Sequence, residues 1–139
     1  MVHRTLAKGV VATFKKLFDA HYPVARMQLV DIYGADDDRS MAAGNTSAFN
    51  CRKVAGSTKW SEHAYGRAID LNPVQNPYVT SGGRVSPPAG RPWANRSRSG
   101  AGMVHAGDAT VRAFAAIGWG WGGAWHGARD YQHFSSTGR

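Results

Sequence analysis

From Asn72 to Met103 the chain is rich in Gly, Pro, Ser, Asn and Arg, and no helical or strand period is sustained across it. Irregular segments of that length inside a compact domain are uncommon and usually functional. Too little chain follows for the segment to be a linker between two domains. A helical bundle is excluded, and the regular elements before and after must share one core. The 139 residues fit a single domain spanning 1–139. Five Trp, five Tyr and five Phe exclude a disordered chain. No apolar run approaches the roughly 20 residues of a membrane-spanning helix.

The flanking segments read as short elements. Thr5 is placed to cap a first helix, with Leu6, Val10, Phe14, Leu17 and Phe18 on one face and Pro23 beyond its end. Met27 to Tyr33, Ala48 to Val54 and Ala68 to Leu71 read as strands. Gly34 to Ser47 reads as loop. Its acidic run Asp36-Asp37-Asp38 lacks the spaced ligands of a calcium loop and reads as a solvated turn. Asp108 opens a second helix through Val111, Phe114 and Ala115, closed by Gly118. Asp130 to Phe134 reads as a last strand. Helix, strands, long loop, helix and strand make an α+β arrangement.

Seventeen Lys and Arg against nine Asp and Glu leave a net charge of +8. No acidic residue lies between Leu71 and Gly107, where Arg84, Arg91, Arg96 and Arg98 stand. Such a stretch attracts polyanions, nucleic acid or anionic wall polymers, or serves solubility. Cys51 is the only cysteine, so neither an internal disulfide nor a thiolate cluster is available. Its setting in Ala48-Phe49-Asn50-Cys51 favours a small core residue over a nucleophile activated by Arg52. Residues 1–20 carry Arg4, Lys8, Lys15 and Lys16 with no apolar signal region, so no secretory signal is expected within them.

Two of the six histidines sit in unusual surroundings, on short segments that pair an imidazole with a carboxylate beside apolar residues: His63 with Asp70, and His133 with Asp130. Two imidazoles and one carboxylate suit a catalytic zinc ion, which takes three protein ligands and leaves a position to water. The remaining carboxylate is then free to take a proton. On a straight strand the odd separation of His63 and Asp70 would put them on opposite faces. Gly66 permits a turn that lets them converge. A surface histidine with an unrelated aspartate is the competing reading of the spacing alone.

Ser61-x-His63-x-x-Gly66-x-Ala68-x-Asp70, followed by Asp130-x-x-His133, resembles the M15 family of zinc D,D-carboxypeptidases and related peptidoglycan peptidases. Phe49-Asn50-Cys51-Arg52, Leu71-Asn72-Pro73, Asn76-Pro77-Tyr78 and Gly118-Trp119-x-Trp121-Gly122-Gly123 extend the likeness to the D-alanyl-D-alanine carboxypeptidase-like branch. The resemblance implies a small antiparallel sheet flanked by helices and long loops, as in the hedgehog/D,D-peptidase fold. It implies one Zn2+ on His63, Asp70 and His133, with Asp130 as general base and Arg52 holding the substrate carbonyl or its oxyanion. Ser61 would position the ligand loop; Tyr65, Trp125 and His126 are weaker candidates for supporting or contacting substrate. Many members carry Glu where Asp130 stands. Asp also occurs, including in phage-type L-alanyl–D-glutamate endopeptidases, so the bond cleaved is open between carboxypeptidase and endopeptidase.

The implied partners are peptidoglycan stem peptides and, for Arg84 to Arg98, anionic wall polymers; a monomer is expected. The implied location is extracytoplasmic, at the cell wall or secreted, or that of a phage endolysin released on lysis. Glu62, the only Glu, points away from its neighbour His63 on an extended segment and is read as surface or support. His105 is placed at a cleft edge, and His3 and His21 in solvent. Trp119, Trp121 and Trp125 either line a groove or pack, with packing expected for at least one. A metal-dependent nuclease and a non-catalytic wall-binding module are the rival functions. The nuclease lacks a phosphate-type metal pattern, and the filled catalytic positions argue against the inactive module.

Overall fold

A computed structural model describes residues 1–139. Helix α1 (Ala7–Asp19) places Leu6, Val10, Phe14 and Leu17 toward the core. Phe18, expected on that face, is 77% exposed. The cause is geometric: at 3.6 residues per turn Leu17 returns to within about 20° of Leu6, and Phe18 overshoots to about 120°. Nor does Thr5 cap the helix; its hydroxyl is bound to the His3 ring, and Leu6 holds the cap position with no side-chain bond.

Helix α2 (Asp37–Ala42) stands where a loop was expected. Asp36 accepts from the Arg39 backbone N–H at its start, so the acidic run is a helix N-terminus, where carboxylates are favoured. The expected strand at 27–33 is instead a single bridge, Met27 to Thr46, followed by a 3-10 turn at Val30–Tyr33. Gly34 closes that turn in the left-handed conformation. The expected strand at 48–54 is likewise absent. Asn50 donates its backbone N–H to His63, and Arg52 accepts from Ser61, so the segment binds the 61–63 turn rather than a long ladder. Cys51 is exposed, not a core residue.

Two three-stranded antiparallel sheets take the place of the single sheet expected. The inner one orders β1 (Ala68–Asp70), β6 (His133–Ser135) and β4 (Gly120–Trp121) as β1-β6-β4. The outer one orders β3 (Val85–Ser86), β2 (Tyr78–Val79) and β5 (Arg129–Asp130) as β3-β2-β5. The strand expected over 130–134 is therefore two strands in different sheets.

Alternation along the inner sheet separates core from site. Ile69 opposes Phe134, and both enter the core. Phe134 stacks on Phe114 of helix α3 (Ala109–Ala115), ring centroids 4.0 Å apart, and Phe114 meets Phe14 of α1 edge-on. Trp119 and Trp121 complete this cluster. Asp108 caps α3 as its sequence position implies, accepting from the Val111 N–H at 2.9 Å.

Buried asparagines organise the irregular segment. Asn72 accepts from the Ala25 N–H and donates to the Pro23 carbonyl. Asn76 donates to the Gly102 and Leu71 carbonyls and accepts from the Val104 N–H. Arg96 donates to the Gln75 and Trp93 carbonyls and to Asn76 Oδ1, and lies over the Tyr131 ring at 4.6 Å. Arg96 is thus a strut of the fold, and the surface arginines of the basic stretch are Arg84, Arg91 and Arg98. No helix is long and apolar enough to cross a membrane.

Candidate metal centre

The His63 block becomes a turn. Ser61 caps a 3-10 turn at Glu62–Tyr65, its hydroxyl accepting from the His63 N–H at 3.3 Å. Gly66 ends the turn at φ 62, and a Cβ there would lie 2.7 Å from the His3 backbone nitrogen. Only glycine meets both demands. The chain then reverses into β1, which resolves the odd spacing: His63 lies before the reversal and Asp70 after it.

Asp70 faces His133 directly across the β1–β6 ladder. On its other side the Asp70 backbone exchanges two hydrogen bonds with Ser47, at 2.8 and 3.0 Å. Three side chains converge, one imidazole on each Asp70 oxygen, and offer ligand atoms within 4.8 Å of one another. His63 Nε2 is 3.1 Å from Asp70 Oδ2, His133 Nδ1 is 3.1 Å from Asp70 Oδ1, and the two ring nitrogens are 3.3 Å apart. All three residues are buried.

This set fits a zinc ion. Metal–ligand bonds of 2.0–2.1 Å in a tetrahedron put neighbouring ligand atoms about 3.3 Å apart, close to the separations found. His63 Nδ1 is 2.6 Å from the Ala48 carbonyl, which can only accept. Nδ1 therefore carries a proton, which leaves Nε2 as the atom that a metal would bind directly or after displacing a proton, a common support for a metal-binding histidine.

Electrostatics follow from the crowding. Burial alone would raise the Asp70 carboxyl, but the charges and hydrogen bonds of the two imidazoles outweigh it and hold it well below the usual carboxylate range. Burial alone would lower His133, yet the Asp70 hydrogen bond and charge, with Asp130, push it up to about 9. The Asp130 carboxyl is pushed up to about 6, first by burial and then by the charge of Asp70. Its Oδ1 is buried with no hydrogen-bond partner.

Asp130 arrives from the outer sheet, paired with Tyr78. Gly122 lets the chain pass beneath it: a Cβ there would lie 2.6 Å from the Asp130 carbonyl and 3.2 Å from the His133 Cβ. Arg52 Nη2 lies 3.0 Å from Asp37 Oδ2 and 4.0 Å from Asp70 Oδ2. The Trp125 ring centroid is 5.4 Å from that of His133, and its Nε1 donates to the Gly138 carbonyl.

Other candidates stand further out. Tyr65 is half exposed beneath the Arg67 guanidinium. His126 and His21 are exposed, and His3 is half-buried, bound to Thr5. Glu62 is half-buried, its Oε2 without a partner. His105 lines a cleft of about 340 Å³ with Arg96, Trp121 and Tyr131, which includes none of the three metal-group residues. Asp37 and Asn50, which hold Arg52, were not anticipated. Their partners lie 15 and 13 positions away in sequence, so no local pattern exposes them.

Two imidazoles and a carboxylate around one point, with a further buried carboxyl beside them in a small α+β fold, define a mononuclear metallohydrolase site. The family model for D-alanyl-D-alanine carboxypeptidase, of the M15 peptidases, matches residues 55–136. That span is more than half of the chain, and the chain belongs to this family of metallopeptidases, whose substrates are peptides. It includes His63, Asp70, Asp130 and His133 and begins after Arg52. No curated protein and no solved structure matches the chain.

Proposed function

We propose that the protein is a zinc-dependent peptidase that hydrolyses a peptide bond in peptidoglycan stem peptides, of the D-alanyl-D-alanine carboxypeptidase type. The carrying observation is the convergence of His63, Asp70 and His133 at zinc-ligand separations beside Asp130, within the matched span. One Zn2+ per chain, held by His63 Nε2, an Asp70 oxygen and His133 Nδ1, would polarise the scissile carbonyl and acidify water.

The protein's own groups do the rest. Asp130 takes the proton of the attacking water on its carboxylate and returns it to the leaving amine. Burial and the Asp70 charge push its carboxyl up to about 6 in the metal-free site, so it is not locked as a carboxylate and can both take and give a proton. Arg52 donates to the oxyanion that develops on the carbonyl; removing one such donor costs about 100–1000-fold in rate. Ser61 and the Ala48 carbonyl hold His63 in place.

The protein acts, on this reading, outside the cytoplasm as a monomer at the wall, or as a phage endolysin after lysis. Exposed Arg84, Arg91 and Arg98 provide attraction to anionic wall polymers, which salt weakens. Asp rather than Glu at position 130 supports a second reading, an L-alanyl–D-glutamate endopeptidase.

A defined stem pentapeptide digested and read by mass spectrometry tests both. Loss of one terminal alanine, stopped by chelator and restored by zinc, is the expected product. Cleavage after the first alanine would transfer the assignment to the endopeptidase, and no chelator-sensitive cleavage would sink both. Arg52→Ala should lower turnover about 100–1000-fold with zinc still bound; unchanged turnover removes its role.

A further inference from the structure

Arg52 is held by the acidic run at the start of α2. Its Nη2 is 3.0 Å from Asp37 Oδ2, and the other Asp37 oxygen accepts from Asn50 Nδ2 at 3.1 Å. The next anion is Asp70, at 4.0 Å. Arg52 Nε is buried without a partner, so one donor of the guanidinium remains free. One cation thus stands between two carboxylates and is closer to the one outside the metal group.

We propose that Asp37, anchored by Asn50, is a positioning residue that keeps Arg52 available to the reacting carbonyl and off the metal ligand Asp70. The inference rests on the peptidase reading for the role of Arg52, but not for the clamp itself. Without the Asp37 charge, the nearest anion to the guanidinium is Asp70. A guanidinium paired there competes with the metal for the carboxylate oxygens, in a buried site where such pairing is strong. Two losses follow from one change: a misplaced donor and a weakened metal site. Burial raises the Asp37 carboxyl above its ordinary value, and the Arg52 charge and the Asn50 hydrogen bond oppose part of that rise.

The test is a double-mutant cycle read on two scales. Zinc affinity, by competition with a chromogenic chelator, and kcat and KM on a stem pentapeptide are measured for Asp37→Asn, Asp37→Glu, Arg52→Ala and the Asp37→Asn/Arg52→Ala double variant. Asp37→Asn should lower kcat and weaken zinc binding, each by about 10–100-fold, and Asp37→Glu should recover most of both. In the Arg52→Ala background the same change should add nothing to either. In metal-free protein, the Arg52 Nε–H should resist solvent exchange by NMR and lose that protection in Asp37→Asn.

Equal losses in both backgrounds, or an unaffected Asp37→Asn variant, overturn the proposal. Should Asp37→Asn fail to fold, Asn50→Ala keeps the charge and removes its anchor, with the same signs and smaller effects. If the native protein cleaves no stem peptide, the peptidase reading falls, while zinc affinity and exchange still decide the clamp.

Discussion

At the scale of single residues, the proposed function divides the site into three groups that would hold a metal and one that would move a proton. His63, Asp70 and His133 each lend an atom to one small triangle, and each is fixed by backbone: the Ala48 carbonyl, the Ser47 exchange and the β1–β6 ladder. Asp130 shares their field without joining the triangle. His63→Ala and Asp70→Asn should therefore lose bound zinc, measured by atomic absorption. Asp130→Asn should keep zinc and lose activity by about 100–10,000-fold, the usual worth of a general base. An Asp130→Asn protein that comes off the column without metal would make Asp130 a ligand.

At the scale of elements, two glycines at the site that admit close backbone approach have different duties. Gly66 turns the chain between His63 and Asp70; Gly122 lies under Asp130 and His133. Gly122→Ala places a Cβ against the Asp130 carbonyl, so β5 must shift. Because misplacement by about 1 Å costs on the order of 100-fold, turnover should fall by about that factor. Intact kcat in that variant would contradict the packing. The grouping of His63, Asp70 and His133 was legible through the family resemblance, because each sits in a short block whose turn residues are local; spacing alone left a surface histidine as the rival reading. Asp108, capping its own helix, was legible for the same reason. What eluded the sequence depends on distant partners. Helix α2 is six residues long, and its Asp37 is turned inward by Arg52. Strands of two and three residues are too short to show alternation, so the break between Asp130 and His133 left no trace in the pattern.

At the scale of the whole molecule, the metal group couples binding to folding. His133 is raised from 6.5 to about 9 in the folded protein. Its stabilising contribution is full below pH 6.5 and disappears as pH rises through about 9. Asp70 runs the other way: depressed in the fold, it contributes above its unfolded value near 4 and loses that contribution as pH falls toward its lowered value. Metal-free protein should accordingly lose melting temperature between pH 6.5 and 9, as deprotonation of His133 leaves two buried carboxylates facing each other without their cation. Zinc replaces that cation, so the loaded protein should stay level over the same interval and melt higher throughout. Differential scanning calorimetry of both forms at pH 6.5, 8 and 9 checks this; parallel curves would rule it out.

Asp130 and His133 lie three positions apart yet answer to different ladders, β5 held by Tyr78 and β6 by Asp70. On the proposed reading, chemistry and cation retention are thereby on separate mechanical mounts. Changes confined to the β2–β3 hairpin can shift the proton acceptor and leave the grip on zinc untouched, so a lineage carrying this scaffold is free to explore new cleavable bonds without first surrendering its metal.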